Sequence, residues 1–169
     1  MKAKNWRSLE RPYTRADYIA GAPQSRIAKY TAGTYSDDYD YELLLVTKED
    51  MQIRDVSIES ARVALTKYLS SKVGEANYFA ELKAHPHHVL RENKLIFGAH
   101  ADRLQEGMRR AFGKPVGRAA RVLRGSPVFR VLVRENGLEA AKEALDLASK
   151  KLPKRYQILI RKLEKKIAS

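Results

Sequence analysis

The sequence predicts an α+β fold: a mostly antiparallel sheet, two helices packed on it, and a long basic loop. Three observations carry that reading. Strand-like runs and helical periodicities occur singly, without the regular strand–helix alternation of a doubly wound parallel sheet. A hydrophobic content of 44% over 169 residues is enough to fill one core. The stretch Gly98 to Arg118 holds four glycines and Pro115, and no helical or alternating period survives its second half.

The elements follow in chain order. The arm before Tyr41 is irregular, with one helical turn expected at Thr14 to Ile19, where Thr14 and Asp17 have capping spacing. Tyr41 to Thr47, YELLLVT, is short, apolar and rich in strand formers. Ser57 is the expected N-cap of a helix whose apolar residues Ile58, Ala61, Val63, Ala64, Leu65, Tyr68 and Leu69 recur at helical spacing, with Gly74 as its stop. Asn77 to Lys83 reads as a strand, and His87 to Leu95 as a shorter one. Pro127 to Arg134, PVFRVLVR, is a clear strand. Asn136 to Leu152 is the second helix, with Asn136 as cap, Glu139 at capping-box spacing and a stripe of Leu138, Ala141, Leu145 and Ala148. Pro153 ends it, and Arg155 to Lys162 is the last strand. There is no internal repeat. The whole of residues 1–169 reads as one domain, with a basic N-terminal arm over about 1–30 and a basic loop over about 98–118.

Charge points to the partner. The chain carries 33 Lys+Arg against 20 Asp+Glu, a formal net charge of +13. The excess sits in three blocks: +5 over residues 1–30, +9 over 83–134 and +7 over 150–169. Residues 31–82 carry −5 and residues 135–149 carry −3, and both read as scaffold. Segregated basic blocks suggest one surface built for a polyanion. No apolar run approaches the roughly 20 residues needed to cross a bilayer, so no membrane partner is expected. The opening MKAKNWRSLERPY lacks an apolar h-region, so a secretory signal is not expected. Cysteine is absent, which removes disulfides, thiolate metal sites and cysteine nucleophiles.

Few patterns offer catalysis. His85 and His87 in AHPHHVL would share one face of an extended strand and His88 the other. Two imidazoles so placed could ligate zinc, but a site needs a third or fourth ligand, and only Glu81 and Glu92 are near in sequence. The better reading is one packed histidine, with the others stacking on or hydrogen-bonding to RNA. Gly113-Lys114-Pro115 with Gly117 lacks phosphate-loop spacing. No cofactor, metal or catalytic residue is expected.

What the basic regions offer is phosphate chemistry. Arginine presents a planar five-donor fork, and glycine lets backbone N–H groups approach. Trp6, Tyr13, Tyr18, His87 and Phe112 are interleaved with that charge. Stacking plus charge is what RNA recognition needs.

The run His85 to Gly117 makes the reading specific. It contains His85-Pro86-His87-His88, Arg91-Glu92-Asn93-Lys94, Ala101 to Arg109 as ADRLQEGMR, and Ala111 to Gly117 as AFGKPVG. These motifs, with RPYTRADYI at Arg11 to Ile19, resemble the archaeal and eukaryotic branch of a universal large-subunit ribosomal protein family. That family is called L-ten-e there, L-sixteen in bacteria, and also QM. The resemblance covers about Arg11 to about Ile160. Two features depart from the family pattern. Arg110 stands where a small glycine is common, and RKLEKKIAS stands where many relatives carry an aromatic, acidic tail.

The resemblance implies an α+β sandwich that acts as a structural constituent of the large subunit on the cytoplasmic ribosome, not an enzyme. It implies binding to large-subunit rRNA near the 5S rRNA and central protuberance, beside neighbouring ribosomal proteins, and help in positioning A- and P-site tRNA near the peptidyl transferase centre. The expected RNA-binding residues are Arg7, Arg11, Tyr13, Arg15, His85, His87, His88, Arg91, Lys94, Arg103, Arg118 and Arg121. Arg109, Arg110, Phe112, Gly113 and Lys114 are expected in the tRNA-proximal part of the loop. The rival readings are a non-ribosomal RNA-binding or assembly factor, and a metal-dependent RNA-acting enzyme using His85, His87 and a carboxylate.

Overall fold

A computed structural model of the chain describes residues 9–93, 96–97, 103–104 and 111–163. The strands are β1 (Thr31–Gly33), β2 (Tyr41–Thr47), β3 (Met51–Arg54), β4 (Tyr78–Leu82), β5 (His88–Glu92), β6 (Ile96–Phe97), β7 (Arg103–Leu104), β8 (Lys114–Val122), β9 (Pro127–Val133) and β10 (Tyr156–Lys162). The helices are α1 (Asp55–Lys72) and α2 (Leu138–Ser149). Single 3-10 turns stand at Ala16–Tyr18, Glu75–Asn77 and Glu135–Gly137.

Among the described residues every strand pair is antiparallel. A five-stranded sheet runs in the order β1-β4-β9-β2-β10, a three-stranded sheet in the order β3-β8-β5, and β6 pairs with β7. The expected α+β class with two helices on antiparallel strands is what the chain adopts.

One core joins these layers. Leu43 and Leu45 of β2, Val131 and Val133 of β9, and Ala80 and Leu82 of β4 face inward from the larger sheet. Ile58, Ala61, Leu65 and Leu69 of α1 and Ala141, Ala144, Leu145 and Ala148 of α2 meet them. Met51, Ile53, Ala120 and Val122 close the core from the smaller sheet. The two inward leucines of β2 are both 0% exposed; strand geometry puts Leu43 and Leu45 on one face, although the continuous apolar run does not itself mark that face.

Several boundaries differ from the expectation, each for a local reason. Helix α1 begins at Asp55, not Ser57, because β3 runs into it without an intervening turn. The Asp55 carboxylate accepts the Val56 N–H at 2.8 Å and the Arg26 N–H at 3.1 Å, so it occupies the electropositive first turn itself. Asn136 does not cap α2. It lies in the Glu135–Gly137 turn, and α2 begins at Leu138 with Glu139 in its first turn and no side-chain cap. A Cβ on Gly137 would stand 3.3 Å from Val73 Cγ1, so the missing side chain lets α2 start close against α1.

The basic loop is shorter than expected. Lys114 opens the nine-residue strand β8, so the loop expected to reach residue 118 ends at Gly113. Pro115 and Gly117 disguise this strand. Pro115 pairs with Arg91 where the β5–β8 register shifts, and β3 joins β8 only from Ala119 onward. The proline therefore lacks an N–H at a bulge on a locally one-sided strand, where little is lost.

Candidate nucleic-acid interface

The long basic segment is an insertion in a hairpin. Glu92 pairs with Lys114 at the open end of the β5–β8 ladder. Between them the chain leaves and returns, and Ile96 and Phe97 pair with Leu104 and Arg103. Gly113 sits at the return point with φ +80°, and a Cβ there would stand 2.9 Å from the Glu92 carbonyl carbon. Only glycine fits that close, left-handed turn.

Phe112, Gly113 and Lys114 thus lie at the root of the insertion beside Glu92, although the sequence reading groups them with its outer part. Arg109, Arg110, Lys94 and Arg7 fall outside the described residues, and of Arg103 only the backbone placement is described. Arg91 caps the root. Its guanidinium carbon lies 3.6 Å from the Phe112 ring centre and 4.8 Å from that of Tyr13. The Tyr13 and Phe112 rings meet edge to face at 5.4 Å.

The N-terminal arm is bonded to the domain along its described length. The Val89 N–H donates to the Tyr13 carbonyl at 2.8 Å, and the Leu82 N–H to the Tyr30 carbonyl at 2.8 Å. The Arg118 Nε–H donates to the Pro23 carbonyl at 2.6 Å, so this arginine ties the arm to β8. The Ala28 N–H reaches a Glu59 carboxylate oxygen at 3.4 Å. A hydrogen-bonded Arg62 holds that carboxyl below its ordinary range. Ile19 and Ile27 of the arm are themselves buried.

The three histidines of the motif divide between two faces, and His88, expected among the RNA-binding residues, falls on the buried one. His88 is buried, and its Nδ1 accepts the Tyr13 N–H at 3.0 Å. Burial first, and then the positive charges of Arg121 and Arg91, push its pKa below the ordinary histidine value. His88 is the packed histidine and serves the fold. His85 and His87 are exposed on the other side with their rings stacked at 6.0 Å. Tyr30, which the sequence reading passed over, stacks on His85 at 4.9 Å. No spacing in the sequence brings Tyr30 to His85; the pairing of β1 with β4 does. Among the described residues no three His, Asp or Glu side chains converge as a metal site would require.

Arg11, Arg15, Lys114 and Arg121 are exposed, and Arg91 and Arg118 are half-buried. They lie on the arm and along β5 and β8, so the chain brings the arm against the strands of the central basic block, with Arg91 and Lys114 at the hairpin root and Arg121 further along β8.

The model of the family described as ribosomal protein L16p/L10e matches residues 9–159. The chain belongs to that family. The large ribosomal subunit protein uL16 of Archaeoglobus fulgidus is 49% identical over 160 residues, covering 95% of this chain and 92% of its own length. The protein of the same name from Staphylothermus marinus is 53% identical over 153 residues, covering 90% and 88%. That of Sulfolobus acidocaldarius is 51% identical over 159 residues, covering 93% and 90%. An L16p/L10e chain so matched along its length is an archaeal-type ribosomal protein of the large subunit, a structural part of the cytoplasmic ribosome rather than an enzyme. The nuclease reading of His85 and His87 is thereby set aside. Its partners are ribosomal RNA and other ribosomal proteins.

Proposed function

We propose that this L16p/L10e protein binds large-subunit rRNA near the 5S rRNA and the central protuberance, and that its hairpin insertion helps position A- and P-site tRNA beside the peptidyl transferase centre. One observation supports the reading above the others: Arg91 and Lys114 stand at the root of a glycine-rich basic insertion, and the same arm and strand that meet there carry the exposed Arg11, Arg15 and, further along β8, Arg121. Cations on fixed strands neutralise phosphates without first having to be ordered. The root would anchor to rRNA, with Phe112 and Gly113 setting its shape. Arg109 and Arg110 of the insertion, together with Lys94 and Arg103, would meet RNA further out. The chemistry of peptide transfer would belong to the RNA, and the protein would supply position and charge.

The deciding measurement is hydroxyl-radical footprinting of reconstituted large subunits from cleavage reagents tethered at Lys114 and at Arg110. Cuts near the 5S rRNA and in tRNA bound to the A and P sites are expected. Cuts confined to distant rRNA would overturn the proposal.

A further inference from the structure

We propose that Tyr30, His85 and His87 form a ready-made stacking platform for an unpaired base of the RNA partner. The inference rests on the RNA-binding reading above and adds a site to it. The Tyr30 and His85 rings lie 4.9 Å apart with 20° between their planes, and His85 and His87 lie 6.0 Å apart with 19°. His85 thus stacks near-parallel with both Tyr30 and His87, and the three make one aromatic cluster.

The backbone beneath the cluster is held on every side. Ala84, Pro86 and His88 are buried and alternate with the exposed His85 and His87. The Lys83 N–H donates to the Val128 carbonyl at 2.8 Å, and the His87 N–H to the His85 carbonyl at 3.1 Å. His88 is fixed by the Tyr13 N–H, and Tyr30 by its carbonyl bond to Leu82. The rings are thus set parallel before any ligand arrives, yet they sit outside the core; Tyr30 is 37% exposed.

A cluster of near-parallel, exposed rings matches a planar ligand with a π face. The exposed Lys29, next to Tyr30 in the chain, favours an anionic carrier for it. A nucleobase in single-stranded RNA satisfies both requirements, and such stacking tolerates any base because every base has a π face.

The test uses the full chain and deproteinised large-subunit rRNA. Affinity is measured across a salt series for wild type, for a triple Tyr30→Ala, His85→Ala, His87→Ala variant, and for the matching triple Phe variant. Thermal melts confirm that each is folded. The Ala variant should bind about tenfold or more weakly with an unchanged salt slope, since stacking releases no counterions. The Phe variant should bind within about threefold of wild type. Ala binding within about twofold of wild type overturns the platform, as does a Phe variant as weak as Ala. If wild type itself shows no salt-dependent binding, the RNA-binding reading fails and the platform fails with it.

Discussion

The Arg91 guanidinium lies over the Phe112 ring, 3.6 Å from its centre, while Tyr13 meets the same ring edge-on at 5.4 Å. One residue comes from β5, one from the return of the insertion and one from the N-terminal arm. The contact ties three chain segments together where the insertion leaves the domain. The arm and the insertion are therefore not independent tails. Whatever orders one constrains the other through Arg91.

That tie should be measurable. A cation over an exposed aromatic face contributes about 0.5–1 kcal/mol. Phe112→Ala should lower stability by about that amount. It should also speed hydrogen exchange at the Val89 amide, which bonds to the Tyr13 carbonyl. Phe112→Tyr should keep both properties. Unchanged exchange in the Ala variant would show that the arm is held without the ring.

Gly113 is the geometric condition for the root. Its φ of +80° and the 2.9 Å approach to Glu92 leave no room for a side chain. Gly113→Ala should cost about 1–3 kcal/mol, the range for a residue forced into a sparsely populated backbone region. The loss should be local. Exchange protection should fall at the Glu92–Lys114 end of the ladder and persist in α1 and α2. A variant as stable as wild type would mean that the ladder end reshapes freely.

How much of this was legible in the sequence depended on which atoms carried the structure. The two helices announce themselves because side-chain periodicity and burial coincide along enough residues, and β2 and β9 because each is a short apolar run rich in strand formers. β1 and β3 do not, because TAG and MQIR are too short for a period to declare itself. β8 is masked by Pro115 and Gly117, which normally mark loops; a register shift opposite Leu90 and Arg91 lets a strand hold them. The packed role of His88 is readable from alternation. The arm's attachment is not, because it runs through the carbonyls of Tyr13, Pro23 and Tyr30, and every residue type offers a carbonyl. Tyr30 reaches His85 only through strand pairing, which spacing cannot reveal.

His88 predicts a pH dependence with a definite sign. Its folded pKa is depressed by burial and by the nearby arginines, so the unfolded chain takes up the proton first. Stability is fully present above the ordinary histidine pKa of about 6.5 and falls as pH drops through it, levelling once the folded pKa is passed. Denaturant midpoints from pH 8 to pH 5 should show this loss on a rough scale set by that pKa. His88→Asn, which keeps an acceptor for the Tyr13 N–H but cannot titrate, should flatten the curve above about pH 5.5. An equally steep curve in the Asn variant would assign the effect to other groups.

Salt should act on binding in proportion to the phosphates neutralised. If the arm and hairpin root engage about six, log affinity for large-subunit rRNA should fall with log salt at a slope of roughly −4 to −5. Each phosphate-contacting cation removed should reduce the slope by about 1. Arg121→Ala should do so. Arg118→Ala should instead lower stability, because its Nε–H is spent on the Pro23 carbonyl. A slope near zero for wild type would exclude a phosphate-dominated interface.

The last prediction separates the root from the insertion. Lys114 stands where β8 pairs with β5, and Arg121 where β8 pairs with β3. Cations on so rigid a strand suit anchoring, where order must precede contact. Arg109 and Arg110 lie in the insertion, which the proposed function directs toward tRNA. Replacing Lys114 and Arg121 with Ala should leave the fold intact, since exposed substitutions usually shift stability by less than about 0.5 kcal/mol. It should lower the amount of this protein in purified large subunits. Replacing Arg109 and Arg110 with Ala should give particles of normal composition that bind tRNA weakly or synthesise peptide slowly. Quantitative mass spectrometry of the particles, paired with tRNA-binding and peptide-synthesis assays, reads both arms. Normal tRNA binding and normal synthesis in the insertion variant would remove the functional half of this division. Full incorporation of the root variant would remove the anchoring half.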